Sequence, residues 1–261
     1  MKALYIASSG MAAQETNVEV ISNNIANMRT TGYKRQRAEF QDLLYQQIRR
    51  SGATTSEQGT AVPVGIEIGS GVKTAATPRV MSQGTPTPTE KELDIAVRGE
   101  GFFIVQLPDG RTAYTRDGSF ERSAEGELVN VDGYTIQPGI TIPDNAISVS
   151  ISPDGTVEAF LDNASGPTQI GQLQLARFVN KAGLASAGNN LFLETAASGP
   201  AQISVPNSEG AGDLLQGYLE ASNVNSVTEI ADLIAAQRAY EMNARVISGA
   251  DEMMQATSQL R

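Results

Sequence analysis

From residue 4 to residue 28 the apolar side chains return at alternating steps of three and four: Leu4, Ala7, Met11, Val18, Ile21, Ile25 and Met28, with Gln14 filling the gap. That rhythm lays one narrow seam along a long helix, the pattern by which helices supercoil around one another. Gly32 supplies the residue most willing to turn left-handed past a helix end, and Lys34, Arg35 and Arg37 follow it, so the helix is expected to stop near Thr30. A shorter amphipathic helix is expected over QRAEFQDLLYQQIRR, where Phe40, Leu43, Leu44 and Ile48 share a face. SGATTSEQGT, residues 51–60, has no large apolar side chain to bury and reads by itself as a linker.

From about residue 61 the period changes to two. Val62, Val64, Ile66 and Ile68 alternate with smaller or polar neighbours, as do Leu93, Ile95 and Val97, then Phe103, Val105 and Leu107. These are strand patterns. Asp109-Gly110, Asp117-Gly118, Glu125-Gly126 and Asp132-Gly133 recur at hairpin spacing, which predicts an antiparallel meander. Alternation at Ile147, Val149 and Ile151, at Val157 and Leu161, and at Leu173 and Leu175 carries the β region to about residue 180. Residues 180–212 are rich in Gly, Ser, Asn and Ala and read mostly as loop, with one strand-like island at LFLE.

Helix then resumes. Ser226 and Glu229 form an S-x-x-E capping box ahead of a second seam: Ile230, Leu233, Gln237, Tyr240, Ala244, Ile247, Asp251 and Met254. The expected fold is therefore α+β, with long N- and C-terminal helices packing as a coiled coil and a central, mainly antiparallel β domain. Two helices that bury only one narrow seam against each other are marginal, so further partners are expected.

Asn is a poor helix former, yet Asn17, Asn24 and Asn27 sit in the first helix, where with Gly10 they make a second stripe beside the seam. Such a stripe suits hydrogen bonding across close helix contacts, where a buried Asn fixes register and Gly10 lets backbones approach. Amides facing water or capping a frayed end are the alternative.

Composition narrows the chemistry. There is no His and no Cys, which removes imidazole bases, Ser-His-Asp and Cys-His nucleophiles and the zinc sites built on those ligands. The lack of Cys also suits a chain that enters an oxidising compartment unfolded, although many ordinary chains lack it too. With 19 basic against 29 acidic residues the net charge is −10, which repels nucleic acid. The apolar run Ala3 to Ala7 is shorter than the roughly 7 to 15 residues of a signal-peptide core, so no cleaved leader is expected. No stretch approaches the roughly 18 apolar residues of a membrane span, so no membrane insertion is expected. No catalytic residue, cofactor or metal site is expected.

The quoted ends carry a resemblance. ISNNIANMRTTGYKR resembles the amino-terminal motif of the bacterial flagellar rod and hook proteins, and IADLIAAQRAYEMNARVI resembles their carboxy-terminal one. Between them, SEQGTAVPVGIEIGSGV, VRGEGFFIVQLPDGRTAYTRDGSF and GYLEASNVN are similar to the distal-rod members of that family rather than to its hook or proximal-rod members.

The resemblance implies a structural subunit that polymerises helically through its terminal helices into a rigid, hollow drive shaft carrying torque from motor to hook. Implied partners are further copies of the chain, proximal rod proteins, the hook protein, the peptidoglycan-layer and lipopolysaccharide-layer ring proteins and the type III export apparatus. The implied location is the basal body, in the periplasm after export. The expected division is 1–45 for the N-terminal helical part, 46–90 for an extended, hairpin-bearing connector specific to the rod, 91–212 for the β domain and 213–261 for the C-terminal return and helix. In the distal-rod members the insert corresponding to about Gln46–Val64 is associated with a stiff shaft.

Seams and motifs together give the expected assembly contacts. They are Leu4, Met11, Val18, Ile21, Asn24, Ile25, Asn27, Thr31, Gly32 and Tyr33 at one end, and Ile230, Ile234, Gln237, Arg238, Tyr240, Asn243, Ile247 and Met254 at the other. A competing reading, a carbohydrate-binding or glycosidase-like β domain, rests on Asp94, Glu100 and Asp117 and requires two carboxylates facing across a cleft.

Overall fold

The computed structural model describes residues 2–51, 63–162, 166–208 and 210–259. The chain divides into two compact units, one of Met1–Ile25, Gln36–Pro78 and Asn225–Arg261, the other of Ala26–Arg35 and Arg79–Val224.

The first unit holds the two long helices, α1 (Lys2–Ala26) and α2 (Ser226–Gln259). At 1.5 Å per residue they are about 38 and 51 Å long. α1 ends four residues earlier than its seam suggests. Asn27 carbonyl accepts the amide of Thr30, and Thr30 carbonyl that of Tyr33, so tight turns replace the last helical turn before Gly32 reaches φ +67°. At the start of α2 the cap is Asn225, one residue before the expected Ser226. Its side-chain oxygen accepts the amides of Val227 at 3.0 Å and Thr228 at 3.3 Å, the two donors an N-cap reaches.

The short helix expected around Phe40–Ile48 is not formed. Glu39–Asp42 pairs antiparallel with Val72–Ala76, and Tyr45–Arg49 with Ile66–Gly69. The same apolar spacing serves either element, and the β-rich partner segments settle it by offering a hydrogen-bonding edge. Most of the expected linker, residues 52–60, lies outside the described residues.

The second unit is mainly antiparallel β. Its six-stranded sheet runs in the order Ala185–Gly188, Leu191–Leu193, Thr112–Thr115, Phe102–Gln106, Leu175–Arg177, Gln202–Ser204. Three of these strands come from the segment read mostly as loop; only LFLE announces itself there, because the flanking pieces are short and rich in small residues. The central strand is buried on both faces. Phe103 and Val105 pack with Ile95, Phe120 and Leu175, while Phe102 and Ile104 pack with Tyr114, Phe178 and Phe192. A three-stranded sheet of Ala146–Ile151, Thr156–Leu161 and Thr168–Gln172 adds Val149, Ile151 and Val157 to the first cluster.

Gly110 and Gly126 turn hairpins at φ +82° and +85°, as the Asp-Gly and Glu-Gly pairs predict. Asp117-Gly118 does something else. A Cβ on Gly118 would fall 1.6 Å from the carbonyl oxygen of Ile95, so this glycine lets two backbones cross.

Candidate functional site

The contact between α1 and α2 follows the polar stripe. On α2 the buried residues are Glu229, Ala236 and Ala250, with half-buried Asn243 completing a strict repeat of seven. On α1 the matching repeat is Gly10, Asn17 and Asn24. Gly10 lies against Asn243, so close that a Cβ there would be 2.9 Å from its Nδ2. Asn24, only 1 % exposed, donates to the Gln36 carbonyl at 2.8 Å and to the Glu229 carboxylate at 3.1 Å, and accepts the Gln36 amide at 2.9 Å. These pairs set the helices antiparallel. A carboxylate buried beside an amide donor is held far more firmly than any water-facing pair.

Because small and polar side chains fill this contact, the apolar ones are left outside it. Ile230, Ile234, Tyr240 and Met254 are exposed, as are Met242 at 61 % and Met253 at 63 %. Leu4, Met11, Val18, Ile25, Asn243 and Ile247 are half-buried, and Gln237 and Arg238 face solvent. Asn27, Thr31 and Tyr33 are half-buried in the turn after α1. Ile21, Asn24 and Gly32 are buried inside the chain. At the end of α2, residues 251–259 are exposed throughout.

A second unpartnered surface is the Tyr45–Arg49/Ile66–Gly69 ribbon. Tyr45, Ile48, Ile66 and Ile68 are exposed on it, and Leu44 beside it is 88 % exposed. A lone two-stranded ribbon with no covered face is marginal in water.

In the second unit three of the motif stretches meet at one buried ion network. Glu220, from GYLEASNVN, accepts Lys34 of TTGYKR at 2.5 Å, Arg116 of YTRDGSF at 2.8 Å and the amide of Gly84 at 2.8 Å. All three side chains are buried. Burial pushes the Lys34 ammonium below its ordinary value, more than attraction to Glu220 raises it. The backbones are joined as well: Gly32 amide donates to Glu220 carbonyl, and Asn223 takes the Arg35 amide while donating to the carbonyls of Val80 and Ser82. Sequence reading overlooked Arg116 and Glu220. Their signal was a single charge inside each apolar-flanked motif, which reads as a solvated position until the partners are known.

The acids of the carbohydrate reading serve local structure. Asp94 is buried and its carbonyl accepts the Gly217 amide, Glu100 pairs with Lys181, and Asp117 accepts Ser119 and Asn190. Among the described residues no group of three or more acidic side chains is placed to hold a metal ion, and no helix is long and apolar enough to cross a membrane.

Paired terminal helices and a mainly antiparallel β unit, in a chain carrying these end motifs, fit an axial protein of the flagellar rod and hook class. Family models agree along the chain: residues 4–34 match the flagella basal body rod protein, residues 96–159 the flagellar hook protein FlgE/F/G D1 domain, and residues 215–260 the flagellar basal body rod FlgEFG protein C-terminal. The chain is 58 % identical over 261 residues to the flagellar basal-body rod protein FlgG of Caulobacter vibrioides, covering 100 % of both. It is 50 % identical over 258 residues to FlgG of Agrobacterium fabrum, covering 99 % of this chain and 98 % of that one. Against the rod protein FlgF of Caulobacter vibrioides identity drops to 32 % over 255 residues, covering 96 % and 94 %. The chain belongs to the FlgG family of flagellar basal-body rod proteins, structural subunits of the basal body rather than enzymes.

Proposed function

We propose that this chain builds the distal rod, polymerising helically through the outer faces of α1 and α2 into a hollow, rigid shaft that carries torque to the hook. One observation carries the reading: Gly10 meets Asn243 and Asn24 meets Glu229 across the two helices, while Ile230, Ile234, Tyr240 and Met254 of α2 stay exposed. Uncovered apolar surface on this scale favours association, and a contact between unlike faces of identical subunits generates an open helix. In the polymer the helices of neighbouring copies would complete a coiled coil.

The exposed ribbon packs against neighbouring copies and, with the insert around Gln46–Val64, stiffens the shaft. Proximal rod, hook, ring and export proteins are the remaining partners on this reading, with the chain reaching the periplasm through the type III apparatus. The test is sedimentation of the purified chain at rising concentration. Wild type is expected to form fibres, and the Ile230→Asp, Ile234→Asp double variant to stay monomeric with its β unit folded. Normal fibres from the double variant would overturn the proposal.

A further inference from the structure

Beside the ion network, the second unit holds a cavity of about 240 Å³ lined by Lys34, Gln83, Glu100, Phe102, Arg116 and Lys181. That volume is room for several waters, or for a carboxylate with its first carbons. Three cations face it, against two acids: Glu220, which is already shared by Lys34 and Arg116, and Glu100, which pairs with Lys181. The immediate surroundings therefore keep one positive charge without a counter-charge, in a chain whose total is −10. Lys34 and Arg116 are buried there with Lys181 at the rim, so the surplus positive charge attracts an anion.

The donors are unevenly spent. Arg116 is saturated: Nε meets Glu220, Nη1 the carbonyls of Gly99 and Gly101, and Nη2 those of Val97 and Gly99. It is a fixed positive wall. Lys34 gives two bonds, to Ser82 carbonyl at 2.9 Å and to Glu220, whereas an ammonium has three N–H donors. Lys181 is held only by Glu100, whose own side chain is largely exposed and free to swing away.

We propose that this cavity is a carboxylate site, in which an incoming carboxylate takes the third donor of Lys34 and displaces Glu100 from Lys181. Nothing in the rod reading requires it, and it stands or falls separately from polymerisation. A small free carboxylate and an Asp or Glu side chain from a second copy present the same group.

The test is titration of dilute full-length chain with acetate, with chloride at equal ionic strength as control, followed by the backbone amide resonances of Gly99, Gly101 and Lys34. Acetate should move these resonances to saturation and chloride should not. Lys181→Gln, at the rim and harmless to the buried network, should weaken acetate binding by about tenfold, the loss of one charge-assisted hydrogen bond. Equal shifts with both anions, or an unchanged affinity in Lys181→Gln, would refute the site. Acetate is then added to chain concentrated enough to associate. Inhibited association identifies a second copy's acid as the occupant, and unaffected association a free carboxylate; both results uphold the site.

Discussion

Glu220 ties together stretches of chain that lie 104 and 186 residues from it in sequence. Replacing it by Gln leaves Lys34 and Arg116 buried without their counter-charge, and the β unit should lose about 3–5 kcal/mol, read by urea unfolding. Lys34 makes a separate prediction. Its folded value lies below 10.5, so between that depressed value and 10.5 the unfolded chain holds the proton and the folded chain does not. Stability from this residue must therefore rise with pH across that window and be lowest below it. The pH–stability curve of Lys34→Met, set against wild type, should lack that rise. Two glycines behave differently again. At Gly32, φ is +67° and a Cβ would meet the Arg116 backbone at 2.8 Å, so Gly32→Ala should cost at least about 1–2 kcal/mol. At Gly10 the obstacle is the movable end of the Asn243 side chain, and Gly10→Ala should be near neutral in thermal melts.

At the scale of elements, both long helices were legible as period-3.5 patterns, because the chain on either side breaks that rhythm sharply. Which face meets which was not legible. The stripe beside the seam was legible as a candidate for helix contacts, but the partners of Asn24 were not, since it finds Glu229 and the Gln36 backbone only once the chain has folded back. Asn24→Leu should remove the bonds to Glu229 and to both Gln36 backbone groups, costing about 1–3 kcal/mol. Cells carrying it should swim poorly while the β unit melts as in wild type. The Phe40–Ile48 stretch shows the opposite failure, a helical spacing overruled by strand partners further along the chain.

For the molecule as a whole, the core is unevenly shared. Of the twelve largest fully buried side chains among the described residues, eleven lie in the β unit and one, Glu229, in the helical one. Limited proteolysis of the dilute chain should therefore trim α1 and α2 first and leave the β unit as a resistant fragment, whereas assembled fibres should protect both helices. Intact termini in the dilute chain would contradict the need for neighbours. The sequence by itself determined that there are two terminal helices, that strands lie between them, that imidazole and thiol chemistry are excluded, and which family the end motifs resemble, because these depend on periodicity and residue type within a short window. Only the tertiary structure decided that Asn24 bonds to Glu229 and Gln36, that Lys34, Arg116 and Glu220 form one buried network, and that Ile230, Ile234, Tyr240 and Met254 of α2 stay exposed. Burial and ion pairing are relations between residues distant in sequence, and they exist only after the backbone has brought those residues together.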